Sequence, residues 1–280
     1  MRYRFPVEGV TIEVTDRKRG LSGNVWSDGL YSVSAGEFSM DTSDAGWFYA
    51  GGGNRVEVCP LPETPASSIE TYLNGSVYGA ILYQRGILPM HGSSFVYKGR
   101  GVIVCGDAGA GKSVLTAAFC HQGAQFLTDD VTPVIPRDGS PYIRALSDRF
   151  KLWRDTLDEL HIDVKNLEKA FADSDKYLLP VNHTPGLHPV DHVILLSVTS
   201  CNDLQYETVN GAQRFEALRN EIYRPEYLRG MPGNEALFFD TIMTISSHAE
   251  VTRLRRPAMM RATELVRHVG AFFDNRAGIS

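Results

Sequence analysis

One segment of the chain has the residue types and spacing of a phosphate-binding loop. Residues 106–113 match the pattern G-x-x-x-x-G-K-[ST] at every fixed position. Glycines permit backbone torsions that other residues resist, so successive N–H groups can converge on phosphate oxygens. The lysine of this pattern reaches the β- and γ-phosphates, and the hydroxyl that follows it can bind Mg²⁺. We therefore expect the nucleotide-binding residues to be Gly106, Asp107, Ala108, Gly109, Ala110, Gly111, Lys112 and Ser113.

The segments on either side of this loop support that interpretation. The apolar run Val102–Cys105 predicts a short strand directly before it, and residues 114–119 predict a helix directly after it. Phosphate-binding loops lie between a strand and a helix in this order. A helix that begins at Gly111 would also direct the positive end of its dipole at a bound anion. The alternative is an ordinary glycine turn between a strand and a helix.

Two adjacent carboxylates, Asp129 and Asp130, follow the apolar segment 125–128. In an open α/β sheet the carboxyl end of a strand faces the ligand crevice. One carboxylate at that place can hold Mg²⁺, and the other can orient or deprotonate an attacking hydroxyl. Adjacent like charges repel each other, so a bound cation is a physical reason for keeping both. The alternative is a polar turn at the end of a strand.

His91, in the segment Pro89-Met-His-Gly92, completes a set of three motifs. Together they resemble the catalytic domain of the bacterial HPr kinase/phosphorylase family. In that family a Met-His-Gly segment, a Gly-Asp-Ser-Gly-x-Gly-Lys-Ser loop and an Asp-Asp pair occur in the same order. Lys112 follows His91 by 21 residues and precedes Asp129 by 17, and these intervals agree with the family. The resemblance covers residues 86–135.

The resemblance implies an α/β fold with a P-loop core of the HPr kinase/PEP carboxykinase type, and ATP and Mg²⁺ as cofactors. It implies that Asp129 is the base that takes the proton from a substrate serine, with His91 beside it. Lys112 completes the catalytic set. Ser113 would be a magnesium ligand, and Asp130 a metal-side or positioning carboxylate.

Two family features are missing, and they affect the expected substrate. The family's Leu-Glu-Ile-Arg-Gly-Leu-Gly stretch is replaced by residues 143–153, and the loop linked to the reverse phosphorylase reaction is absent. The chain therefore better resembles the divergent members that accompany peptide-maturation clusters, including lasso peptide clusters. This implies a serine on a protein or precursor peptide as the acceptor, and a homo-oligomer stays open. The alternatives are an ATP-binding sensor that transfers nothing, and a phosphotransferase that acts on a small hydroxylated metabolite.

The composition is that of a soluble globular protein. The 280 residues are 43% hydrophobic and 22% charged, with a net charge of −5, which excludes a disordered or collagen-like chain and gives no bulk attraction to nucleic acid. The longest aliphatic stretch, Val193–Leu196, is far shorter than the ~20 residues of a membrane helix. The first residues, Met-Arg-Tyr-Arg-Phe-Pro, have no apolar segment of a secretory signal. We therefore expect a cytoplasmic protein that binds neither membrane nor nucleic acid.

Two sections are expected along the chain. Residues 1–66 read as short strands and turns, and this section either recognises a substrate or partner or covers the core. Residues 67–280 read as the P-loop catalytic domain, with alternating strands and helices. A helix over 69–84 is expected to end at Gly86. The other predicted strands are 94–97, 101–105, 125–128, 132–135 and 192–198, and the other predicted helices are 111–121, 150–160, 213–223, 234–247 and 259–273.

The arginines of the C-terminal half leave two interpretations open. Arg224 lies just after a predicted helix, where its guanidinium could reach a transferring phosphoryl group or simply face the helix dipole and water. Arg253 and Arg255 alternate, as in a half-exposed strand, or mark a surface on which an acidic peptide docks.

Overall fold

Short strands between turns form the first sheet, as the sequence predicts. The computed structural model describes residue 3 and residues 5–145, 149–170, 174–181 and 184–277. Within these residues the first sheet has the order β1-β6-β5-β4-β3-β2, in which β1 and β6 are parallel and the other pairs antiparallel. Its strands are β1 (Thr11–Val14), β2 (Trp26–Ser27), β3 (Tyr31–Ser34), β4 (Glu37–Thr42), β5 (Gly46–Gly51) and β6 (Arg55–Pro60).

The predicted helix over 69–84 is present, but a π-helical turn interrupts it. Helix α1 (Ala66–Tyr72) continues through the π turn Leu73–Val77 into α2 (Tyr78–Gln84). Gly86, with a φ of 66°, takes the left-handed conformation expected after the helix. Such a turn adds one residue to the helical repeat and often occurs at functional sites.

The strand that precedes the glycine-rich segment lies inside a larger mixed sheet. In the described residues its order is β15-β11-β10-β7-β8-β16-β18-β17, and β9 also pairs with β7. Strands β8, β16 and β18 are parallel, so their carboxyl ends meet at one edge. The remaining strands are β7 (Leu88–Tyr97), β8 (Arg100–Gly106), β9 (Gln125–Thr128), β10 (Val131–Arg137), β11 (Ser140–Ala145), β12 (Arg149–Trp153), β13 (Glu168–Lys169), β14 (Lys176–Pro180), β15 (Gly186–Pro189), β16 (His192–Thr199), β17 (Gln205–Thr208) and β18 (Glu250–Pro257).

Helices cover this sheet. Where a helix was predicted in the correct place, its observed ends differ from the predicted ends by up to four residues. The remaining helices are α3 (Lys112–His121), α4 (Arg154–Glu159), α5 (Gly211–Asn220), a 3₁₀ turn Pro225–Arg229, α6 (Asn234–His248) and α7 (Ala262–Ala277). The prediction that Arg253 and Arg255 lie in a strand is confirmed, because both belong to β18. Their guanidinium groups donate hydrogen bonds to the Glu207 carboxylate of β17.

The prediction of a helix over 150–160 is wrong in its first half. Residues 149–153 form β12, which pairs with β14 in a small sheet of order β12-β14-β13, and the helix begins only at Arg154. Phe150 and Leu152 are buried while their neighbours are not, which is the two-residue period of a strand. Strands β11, β13, β14, β15 and β17 were not predicted.

Two clusters of buried side chains lie on the two faces of the larger sheet. Ile103 and Cys105 of β8 belong to a cluster that also holds residues of β3–β6, α2 and α6. Val102 and Val104 belong to the other cluster, with residues of α3, β12 and α7. The expected α/β class is confirmed as mixed sheets covered by helices. In the part of the chain that the structure describes, no helix is both long and apolar enough to cross a membrane.

Candidate functional site

The glycine-rich segment forms a loop between β8 and α3. Gly106 ends the strand with a φ of 130°, and a Cβ at this position would lie 2.0 Å from the carbonyl oxygen of Leu196 on β16. No residue other than glycine fits there without displacing a strand. Gly111, with a φ of 101°, precedes the first residue of α3. The eight predicted residues therefore lie together at the carboxyl end of β8, where α3 begins.

Lys112 and Arg256 hold positive charge against this loop. The Lys112 Nζ donates to the carbonyl oxygens of Gly106 (2.6 Å) and Asp107 (3.2 Å). From the end of β18, the Arg256 Nε donates to the carbonyl oxygen of Ala110 (2.9 Å). Both cations are therefore within the loop's own hydrogen-bond network, at the place where phosphate charge would be bound.

A tight turn directs the two aspartates to different partners. The N–H of Val131 donates to the carbonyl oxygen of Asp129 (2.9 Å), so Asp130 is the centre of a three-residue turn. Asp130 has a φ of 71°, in the left-handed region that side chains with a Cβ rarely adopt. Strained backbone of this kind is often found at functional sites. Its consequence here is that adjacent carboxylates contact different groups.

Asp129 contacts the glycine-rich loop. Ser113 Oγ donates to its Oδ1 (2.6 Å), and the backbone N–H of Lys151 on β12 donates to its Oδ2 (2.9 Å). Burial raises the pKa of Asp129, and the two hydrogen bonds only partly oppose this. The serine hydroxyl and this carboxylate are oxygen donors of the kind that Mg²⁺ prefers. They therefore fit the metal side of a nucleotide site.

Asp130 contacts a different set of groups. The Lys151 Nζ donates to its Oδ2 (3.1 Å), and the His91 Nε2 lies 3.9 Å from its Oδ1. Burial opposes ionisation of this carboxyl, but Lys151 and His91 outweigh it and lower the pKa to about 2. The side chain is 35% exposed. Asp130 is thus an ionised carboxylate with one oxygen on a lysine and the other beside a histidine.

His91 is fixed by both its backbone and its ring. Its N–H donates to the carbonyl oxygen of Glu221 (2.7 Å), and its ring lies 5.6 Å from the ring of Tyr223 in an edge-to-face contact. Burial and then the charge of Lys112 lower the pKa of His91, so the imidazole is neutral at pH 7. It can therefore serve as a hydrogen-bond partner close to Asp130.

The segment Glu221–Arg224 connects the loop, the histidine and a further cation. Glu221 Oε2 accepts the backbone N–H of Gly106 (3.0 Å), and the N–H of Tyr223 donates to the carbonyl oxygen of Pro89 (2.8 Å). Burial raises the pKa of the Glu221 carboxyl. The Tyr223 ring passes close to α2, where a Cβ on Gly79 would lie 2.9 Å from it.

Arg224 is held in aromatic surroundings beside His91. Its guanidinium lies 5.1 Å from the Tyr31 ring and 5.6 Å from the Tyr223 ring. The nearest carboxylate, that of Glu226, is 3.6 Å away, and among the described residues the buried Nε has no hydrogen-bond partner. The charge of Arg224 also contributes to the lowered pKa of His91.

The structure brings the predicted residues together but pairs them differently from the sequence-based assignment. Ser113 contacts Asp129 and not Asp130, and His91 lies beside Asp130, whereas Asp129 was expected to be its neighbour. Within the described ranges no three or more His, Cys, Asp or Glu side chains cluster as a metal site. A Mg²⁺ ion would therefore need oxygens from the phosphates in addition to those of Ser113 and Asp129.

Two contributors were missed by the sequence analysis. Lys151 contacts both aspartates, but its segment was interpreted as a helix. Glu221 binds the first residue of the loop, and no motif marks it. The alternation Phe150-Lys151-Leu152 could have indicated a strand with the lysine on the face opposite the core.

Comparisons with known proteins give one kind of match. No protein-family model matches the chain, and no curated protein matches it significantly. Among the solved structures, the fold is similar to that of the Hpr(Ser) kinase/phosphatase from Coxiella burnetii, with 15% sequence identity and a TM-score of 0.36. The match covers 68% of this chain and 95% of the other.

Proposed function

We propose that the protein is an ATP-dependent kinase that transfers the γ-phosphate of ATP to a serine hydroxyl on a protein or precursor peptide. The observation that carries the proposal is the hydrogen bond of 2.6 Å between Ser113 of the phosphate-binding loop and Asp129. This bond joins the carboxylate pair to the loop, which supports a site in which the pair lies near the terminal phosphate of a bound nucleotide. The resemblance of the three motifs to the HPr kinase/phosphorylase family agrees with this function.

The residues of the loop hold the nucleotide. Backbone N–H groups of 106–113 and the start of α3 bind phosphate oxygens, and the Lys112 ammonium moves from the loop carbonyls to the β- and γ-phosphates. Magnesium, when bound beside Ser113 and Asp129, neutralises charge on the same phosphates. Arg224 adds a positive charge on the side of His91.

In this proposal Asp130 is the base that takes the proton from the acceptor hydroxyl, the role that the resemblance implied for Asp129. Asp129 takes the metal-side role that was expected of Asp130. Both oxygens of Asp129 already accept hydrogen bonds, and one of them comes from the metal-side serine. The Oδ1 of Asp130 lies 3.9 Å from the His91 Nε2, and no side chain or N–H of the described residues donates a hydrogen bond to it. The serine oxygen attacks the γ-phosphorus, the bond to the bridging oxygen of ADP breaks, and the hydroxyl proton passes to Asp130. A base with a low pKa is adequate, because the proton leaves late in a loose transition state.

The test is ATP turnover and phosphate transfer with candidate acceptors. Peptides encoded beside the gene are incubated with the protein and ATP, and mass spectrometry locates any added phosphate. A serine phosphate with peptide-dependent ADP release supports the proposal. ATP binding without turnover would favour the ATP-binding sensor, and turnover that requires a small hydroxylated metabolite would favour the phosphotransferase that acts on such a metabolite.

Variants separate binding from transfer. Lys112→Ala should weaken ATP affinity and rate together, because it removes charge from the phosphates. Asp130→Asn should keep ATP affinity and lower transfer by two orders of magnitude or more, as expected for loss of a base. Asp138→Asn is the matched control, since Asp138 also has a positive φ (51°) but lies in an exposed turn. Transfer by Asp130→Asn close to that of the control would remove Asp130 from this role.

A further inference from the structure

Lys151 contacts both carboxylates of the pair. Its Nζ lies 3.1 Å from Asp130 Oδ2, and its backbone N–H donates to Asp129 Oδ2 at 2.9 Å. Its side chain is 18% exposed, so its ammonium has little water around it. The position of one residue therefore determines the charge next to both aspartates.

The fold fixes this lysine at the end of β9. On the opposite face of β12, Phe150 packs against Phe126 of β9, with ring centroids 4.1 Å apart. Phe150 and Leu152 are almost fully buried, and β12 pairs with β14 along its whole length. Strand β9 leads directly into the aspartate turn. A strand anchored in this way holds its lysine beside the turn at little further cost in side-chain entropy.

An ammonium at this place offsets carboxylate charge, as a metal ion would, although with one positive charge where a divalent ion has two. Phosphoryl-transfer sites with several carboxylates often bind two divalent cations, one on each side of the transferred group. Here one oxygen of Asp130 is already occupied by a fixed cation, and a divalent ion on the same carboxylate would meet that charge at close range. Among the described residues, the oxygens of Ser113 and Asp129 accept no hydrogen bond from a lysine ammonium; the Asp129 oxygens accept the Ser113 hydroxyl and a backbone N–H instead.

We propose that Lys151 replaces a second divalent metal at Asp130, so that the protein binds its nucleotide with a single metal ion. The inference rests on the proposed function, because it assumes that 106–113 bind a nucleoside triphosphate. In this inference Lys151 supplies the positive charge at Asp130, where the acceptor hydroxyl would bind. The single metal ion would then bind at Ser113 and Asp129. The geometry that carries the inference is the 3.1 Å contact between the Lys151 ammonium and Asp130 Oδ2.

The experiment counts metal ions and does not depend on turnover. Wild-type protein is saturated with a non-hydrolysable ATP analogue and titrated with Mn²⁺, and the free ion is measured by electron paramagnetic resonance. We expect one Mn²⁺ per bound nucleotide for wild type and for Lys151→Arg. We expect two for Lys151→Met, and one again when Asp130→Asn is added. Lys98→Met, which breaks an exposed ion pair with Asp274, is the control and should bind one.

The outcomes distinguish this inference from the proposed function. Two Mn²⁺ per nucleotide in wild type would overturn the inference and leave the function intact. One Mn²⁺ in folded Lys151→Met would also overturn it. If Lys151→Met does not fold, two Mn²⁺ per nucleotide in wild type or in Lys151→Arg would still overturn the inference. Absence of nucleotide binding by folded wild-type protein would overturn the function and the inference together.

Discussion

The strained turn at Asp130 predicts an inverted order of stability between two variants. Asp130→Ala and Asp130→Gly both remove the carboxylate and leave Lys151 without this partner, so that loss cancels in their comparison. An L residue in the left-handed region costs roughly 1–2 kcal/mol, and glycine avoids this cost. Glycine in turn loses more chain entropy on folding, by about 0.5–1 kcal/mol. With Asp130 at a φ of 71°, the glycine variant should be the more stable, by about 0.8 kcal/mol from the mid-range values and by at most ~1.5 kcal/mol.

The assay is urea unfolding of both variants, with two reference pairs. Asp138, at a φ of 51° in an exposed turn, should show the same order, with glycine above alanine. Asp240 is exposed within α6, and there alanine should exceed glycine by about 1 kcal/mol, because glycine disfavours a helix interior. The sign of each difference, which does not depend on the absolute stability of the chain, is the measured quantity.

An alanine variant at Asp130 that is more stable than the glycine variant, as at Asp240, would refute the reasoning. It would mean that Asp130 has ordinary backbone torsions in solution, and that the turn does not direct the two carboxylates to different partners. Both Asp130 variants should lose phosphate transfer in either case, because both lack the carboxylate. The more stable of the two variants is thus also inactive, because transfer is lost with the carboxylate and not with the fold.

Two further predictions concern the charges of the aspartates. The fall in the pKa of Asp130 from 3.8 to about 2 corresponds to a stabilisation of at most ~2.5 kcal/mol. Solvent around a side chain that is 35% exposed reduces this to ~1 kcal/mol. The stabilisation is present above pH 4 and is lost as the pH falls towards 2, and unfolding measured at pH 2–5 should show that Asp130→Asn lacks this pH dependence. Burial raises the pKa of Asp129, so its contribution is favourable at low pH and is lost as the pH rises through the folded pKa. Asp129→Asn should therefore unfold at the same or a higher temperature than wild type at pH 7 while losing transfer, and a clearly lower melting temperature would contradict this.

The sequence could identify the loop because its determinants are local. The strand, the glycines at 106 and 111 and the helix after them are adjacent in the chain, and each is fixed by backbone torsion or by hydrophobic period. The three motifs around His91, Lys112 and Asp129 were located for the same reason. The local pattern could not show which aspartate contacts Ser113 and which lies beside His91. The turn with a positive φ at Asp130 decides this, because it changes the direction in which the two neighbouring side chains point.

The missed residues depend on contacts between distant parts of the chain. Lys151 reaches the site only because β12 pairs with β14 and packs on β9, and a short apolar run is ambiguous between strand and helix without those partners. Glu221 reaches the loop only because its segment runs along β7, more than 120 residues earlier in the sequence. Neither contact has a signal in local periodicity.

The N-terminal sheet forms part of the surroundings of the site, and this decides how its role can be tested. Tyr31 of β3 lies against the guanidinium of Arg224, and a Cβ on Gly230 would lie 2.4 Å from the carbonyl oxygen of Val33, so β3 packs closely on the segment that follows Arg224. Deleting residues 1–66 would expose the buried Tyr227 and release Arg224, and loss of activity would then report lost packing as readily as lost recognition. A recognition role is therefore separable from a covering role only by substitutions of side chains that the sheet exposes, such as Val14, which contribute little to packing.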